Sequence, residues 1–85
     1  MKTKEKISIL KKWCKDTNSI SNRKFHVLPN IEYEDSLEIV SVEVNCTHFI
    51  SYGQIDIICK KTGLYFYGFM TLNGCIILQF STEEL

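Results

Sequence analysis

The chain has 85 residues, 45% of them hydrophobic and 24% charged, with ten basic and ten acidic side chains. That is enough for one small domain with a single core, and too much apolar content for a disordered chain. No stretch approaches the ~20 apolar residues of a membrane span, and the opening MKTKEKISILKKWCK has no apolar run of the ~7–15 residues a secretory core needs. The expected setting is therefore cytoplasmic, without a membrane partner and with reduced cysteines.

Zero net charge conceals a separation of signs. Residues 1–24 carry a balance of +6 and residues 25–85 a balance of −6. Such asymmetry between halves often reports an interaction surface, and a solvated lysine-rich helix face is the commoner origin of the two.

Residues 4–17 have helical periodicity. At 100° per residue Ile7, Leu10 and Cys14 fall together, flanked by Ile9, Trp13 and Ile20, while Lys4, Lys11, Lys12 and Lys15 lie opposite. Thr3 is the expected N-cap, and the run from Asp16 to Ser19 is rich in residues that end helices. The apolar stripe is read as a core face that covers a sheet.

The period then changes. Residues 23–28 read as a short strand, and residues 29–36 as an acidic loop. From Leu37 alternation is clean over 37–48, with Val40, Val42, Val44, Cys46 and His48 on one face. Residues 54–60, 64–72 and 75–81 read as three more strands, joined by Lys61-Thr62-Gly63 and Asn73-Gly74 as tight turns. The second turn sets Leu72 opposite Cys75, Phe69 opposite Leu78 and Tyr67 opposite Phe80. The first sets Cys59 opposite Tyr65 and Ile57 opposite Tyr67. One face then holds Ile55, Ile57, Cys59, Tyr65, Tyr67, Phe69, Ile76, Leu78 and Phe80. The other still carries Ile58, Phe66, Met70, Leu72 and Ile77, an apolar set that needs cover from residues 19–36, a second copy or another protein.

The expected architecture is α+β: an N-terminal amphipathic helix on a four- to five-stranded antiparallel meander sheet, in a single domain. In layout alone it resembles cystatin-like helix-on-sheet rolls, and such a layout implies no activity.

Four groups bear on chemistry. Cys46, His48, Cys59 and Cys75 lack the paired spacing of zinc modules, and the register puts Cys59 and Cys75 on opposite faces, so no metal or other cofactor is expected. A thiolate nucleophile paired with His26 or His48 needs an electropositive, partly exposed setting that apolar strands do not supply. Asp56 has no paired carboxylate as a general base, so no catalytic residues are expected and the chain reads as a non-enzyme. The aromatic run Tyr65-Phe66-Tyr67 lacks the RNA-recognition order of residues, and an acidic body repels polyphosphate, so nucleic acid is an unfavoured partner.

The remaining constellation is Glu32, Tyr33, Glu34, Asp35 and Glu38. Carboxylates around a tyrosine suit a basic protein surface, with electrostatic steering and an aromatic anchor. The expectation is a small cytosolic protein-binding inhibitor, of the toxin-immunity or phage anti-defence kind, that occludes a basic surface of a target such as a nuclease. The alternatives are a homodimer or larger homo-oligomer joined through the second apolar face, and a zinc or nucleic-acid module.

Overall fold

The computed structural model describes residues 2–20, 24–45 and 52–84. They form α1 (Thr3–Asn18), β1 (Phe25–Val27), β2 (Glu32–Glu34), β3 (Leu37–Val44), α2 (Tyr52–Thr62), β4 (Tyr65–Leu72) and β5 (Cys75–Ser81). The fold is α+β, an N-terminal helix on a five-stranded antiparallel sheet with a second helix beside the first.

Helix α1 presents the expected stripe. Leu10 and Cys14 are buried, with Ile7 and Trp13 packed against the core. Full burial of a side chain such as Leu10 contributes about 1.5–3 kcal/mol. Trp13 meets Phe25 edge to face at 5.0 Å between centroids. Two details differ from expectation. Ile20 is 89% exposed rather than part of the stripe. The N-cap is Lys2, without a side-chain cap, while Thr3 is already helical and donates its hydroxyl to the Glu38 carboxylate at 3.2 Å. At the other end, the Asn18 amide donates to the Phe25 carbonyl at 2.8 Å and accepts from the Phe25 N–H at 2.7 Å, which satisfies the outer edge of β1 there.

The main correction concerns residues 54–60. They belong to helix α2, not to a strand. Ile55, Ile58 and Thr62 are its buried residues, at i, i+3 and i+7, while Ile57 is 45% exposed. The sequence Lys60-Lys61-Thr62-Gly63, read above as a hairpin turn, is a helix C-terminus. Lysines there meet the negative end of the helix dipole. Gly63 takes the left-handed φ of +76° and donates its N–H to the Cys59 carbonyl at 2.9 Å, the αL termination that favours glycine. Thr62 completes the cap: its hydroxyl donates to the Ile58 carbonyl at 2.6 Å and accepts from the Leu64 N–H at 3.1 Å.

This helix changes the topology. The path across the sheet is β1-β3-β5-β4, with β2 also on β3. Because β3 and β4 are each antiparallel to β5, they run parallel to one another with β5 between them, and α2 is the crossover. A split β-α-β unit therefore stands where a plain meander was expected, and the layout departs from the cystatin-like roll. The other edge is one interrupted strand. β1 pairs with residues 42–44 of β3 and β2 with residues 37–39, with Pro29 and Asn30 bulging between them.

The core lies between the helices and one sheet face: Phe25 and Val27, then Val40, Val42 and Val44, then Ile76, Leu78 and Phe80, under Leu10, Cys14, Ile55 and Ile58. The Asn73-Gly74 hairpin has the expected register at Leu72–Cys75 and Phe69–Leu78, but a bulge between Phe66 and Gly68 pairs Phe66, not Tyr67, with Phe80. The bulge turns Phe66 into the core, where its ring meets Phe80 at 5.8 Å. Tyr65, paired with Ser81, lies on the open face instead, and Tyr67 reaches Glu34 across that face.

Candidate functional site

The segment read as an acidic loop is a hairpin. β2 pairs with the start of β3 through Glu32–Ile39, Tyr33–Glu38 and Glu34–Leu37, and Asp35 and Ser36 form the turn with φ of 49° and 70°. Two consecutive positive φ values are those of the two-residue turn whose twist matches paired strands, and aspartate tolerates this region better than most residues. Glu32, Tyr33, Glu34 and Asp35 are all exposed, Tyr33 at 68%.

The hairpin sorts the five residues by face. Glu32 and Glu34 stand on the open side of the sheet with Leu37 and Ile39, because directly opposed residues share a face. Tyr33 and Glu38 stand on the helix side. Glu38 is half-buried and occupied internally: its carboxylate accepts from the Thr3 hydroxyl at 3.2 Å and the Thr82 hydroxyl at 3.4 Å, and its carbonyl accepts from the Thr82 N–H. It ties the start of α1 to the end of β5. The exposed set is thus Glu32, Tyr33, Glu34 and Asp35.

One partner of this set was not foreseen. The Tyr67 phenol donates to the Glu34 carboxylate at 2.7 Å. β2 and β4 are separated by β3 and β5, so the pair spans the open face. On that face Ile39 is fully buried and Ile77 is 5% exposed although, among the described residues, both helices pack on the other face. The bond raises the Tyr67 pKa above 10.0, with some loss of solvation and the charges of Glu34 and Asp35 adding to it. The bulge that re-aims Tyr67 had no signature in the alternation except Gly68, a residue common at such irregularities.

Lys4, Lys11, Lys12 and Lys15 are exposed on α1, and Lys60 and Lys61 on α2, together with Glu5, Asp16 and Asp56, of which Asp16 pairs with Lys12 and Asp56 with Lys60. The open face of the sheet carries Glu32, Glu34 and Glu43, and Asp35 stands at the hairpin turn. The helices thus keep an excess of lysine, and the open sheet face carries carboxylates.

The second predicted set, Ile58, Phe66, Met70, Leu72 and Ile77, does not assemble. Ile58 is fully buried in the core from α2, and Phe66 packs against that core. Met70 and Leu72 remain on the open face, 51% and 58% exposed, with Ile77 buried opposite Met70. Phe69 is 66% exposed on the other face of the same strand, so the apolar exposure belongs to the edge β4 rather than to one sheet face.

The chemical candidates are placed as follows. Cys46 and His48 lie outside the described residues. Cys59 sits on α2 in the helix layer, where burial raises its thiol pKa against the opposing effect of a backbone hydrogen bond from Phe66, with Asp56 adding to the rise. Cys75 faces the open side opposite Leu72. Asp56 forms an exposed i,i+4 ion pair with Lys60 at 3.0 Å, and His26 is exposed on β1 opposite Glu43. Among the described residues no three His, Cys, Asp or Glu side chains converge as a metal site, and no helix is long and apolar enough to cross a membrane.

No protein-family model, curated protein or solved structure matches the chain.

Proposed function

We propose that this chain works in the cytoplasm by binding another protein, with the β2–β3 hairpin seated on a basic surface of its target. The concrete form is a small inhibitor that covers a nucleic-acid-facing surface of an enzyme such as a nuclease, as immunity and anti-defence proteins do. One observation carries the reading: Glu32 and Glu34 are exposed on the open face of a tight hairpin, with Asp35 exposed at its turn and Tyr33 exposed on its helix side. A paired hairpin holds carboxylates in place before binding, so less conformational entropy is lost on association than with a loose acidic loop. The carboxylates steer a basic partner, and a target that wraps the hairpin edge also meets Tyr33 on its other face as an aromatic contact.

The test is affinity capture from the source cell with two baits, wild type and the triple variant E32K/E34K/D35K, with captured proteins identified by mass spectrometry. The expected result is a basic protein retained by the wild type and lost from the variant. Equal retention on both baits would refute the reading.

A further inference from the structure

We propose that β4 is a dimerisation edge, pairing antiparallel with β4 of a second copy of this chain about a two-fold axis at Met70. This goes beyond the acidic hairpin, which lies at the opposite edge of the sheet and stays free in such a dimer.

The two edges of the sheet are built differently. Natural edge strands are blunted by interruption, proline and charge. The β1/β2 edge has all three: it is broken at Pro29 and Asn30, carries Glu32 and Glu34, and is capped at Phe25 by Asn18. The β4 edge, YFYGFMTL, carries no charge and no proline; a bulge at Tyr67 interrupts its first part, and Gly68 to Leu72 run unbroken. Among the described residues no strand lies beyond it.

Hairpin geometry tells which β4 groups point outward. In a two-residue hairpin the closing pair, Leu72–Cys75, exchanges both backbone hydrogen bonds. Leu72 and, two residues on, Met70 therefore direct N–H and C=O to β5, while Phe69 and Thr71 direct theirs away from the sheet. The bulge at Tyr67 bends the first part of β4, leaving Gly68 to Leu72 as the regular stretch.

That stretch is self-complementary in one register. With Met70 opposite its own counterpart, Phe69 lies opposite Thr71 of the second copy, and the two residues exchange hydrogen bonds twice across the axis. Leu72 then lies over Gly68 of the second copy, where an added Cβ meets nothing within 4 Å, so there is room for the larger side chain. Charge selects the same occupant. Near a two-fold axis a strand meets itself, and a charged residue opposite its own counterpart faces a like charge; β4 carries none, whereas recognition of a basic partner is concentrated on β2.

Sedimentation velocity of the full chain from about 1 to about 100 µM tests this, the upper end reaching weak micromolar association. The expected result is a species of twice 9.9 kDa that grows with concentration. Met70→Lys and Met70→Glu, at a half-exposed edge position, are each expected to be monomeric with an unchanged circular dichroism spectrum. Mixed in equal amounts they are expected to recover the dimer, because residue 70 faces residue 70. Thr71→Pro, which removes an outward N–H and no bond to β5, is a second route to the monomer. A wild type monomeric throughout, single variants that dimerise as before, or a mixture that stays monomeric would each overturn the proposal.

Discussion

The phenol of Tyr67 and the carboxylate of Glu34 meet at 2.7 Å across the open side of the sheet, joining the two outer strands at that end. The contact holds only while Tyr67 is protonated. Hydrogen bonding to Glu34 is the largest cause of its raised pKa, so the folded protein keeps this proton to higher pH than the unfolded chain. The stabilisation is fully present below pH 10.0, the ordinary value, and is lost as pH rises through the folded pKa. Ultraviolet titration checks this. The difference between wild type and Tyr67→Phe reports one high-pH phenolate, and Glu34→Ala is expected to move it down. An unmoved transition in Glu34→Ala would remove Glu34 as the cause.

Ile57 and Ile58 separate the helix from the strand that alternation predicts. In α2, Ile58 is fully buried and Ile57 is 45% exposed. Ile58→Ala is expected to destabilise by about 2–5 kcal/mol, as for other large-to-small core changes, and Ile57→Ala by about 0.5 kcal/mol or less, as on a surface. Urea unfolding measures both. The reverse ranking is what a strand with Ile55, Ile57 and Cys59 inside would give.

These two isoleucines also explain what the sequence leaves unreadable. Helix α1 was legible because its lysines and apolar residues separate by face. β3 and the Asn73-Gly74 hairpin were legible because alternation and turn chemistry agree. In residues 54–60 they conflict: Ile55, Ile57 and Cys59 alternate, yet Ile55, Ile58 and Thr62 fit a helical face as well, and isoleucine leans toward strands by local propensity. The deciding signals, the Asp56–Lys60 spacing and a glycine after two lysines, are helix-terminal features that also resemble a turn. The hairpin residues Glu32 to Asp35 were visible as a cluster of charge. That Glu38 turns inward and Tyr67 joins the face depends on pairing and a bulge, which composition does not encode.

Burial raises the Cys14 thiol to about 11 from 9.0. The thiol form is thereby favoured in the folded state, so this group's contribution is intact below pH 9.0 and lost as pH climbs through about 11. With little thiolate near neutrality and 4% exposure, Cys14 is expected to resist alkylation at pH 8 until the chain unfolds. Peptide mapping after iodoacetamide treatment, with and without denaturant, reads the result. Rapid native labelling of Cys14 would mean that α1 does not hold it in the core.

The central claim, that the acidic hairpin docks on a basic protein, is tested most directly by the salt dependence of that association. Affinity for the protein retained by the wild-type chain is measured by titration calorimetry at several salt concentrations, beside E32K/E34K/D35K. Since like-charge juxtapositions cost several kcal/mol, the variant is expected to bind more than roughly a hundredfold more weakly at low salt, and wild-type affinity to fall as screening increases. A salt-independent affinity shared by the wild type and the variant would contradict the claim.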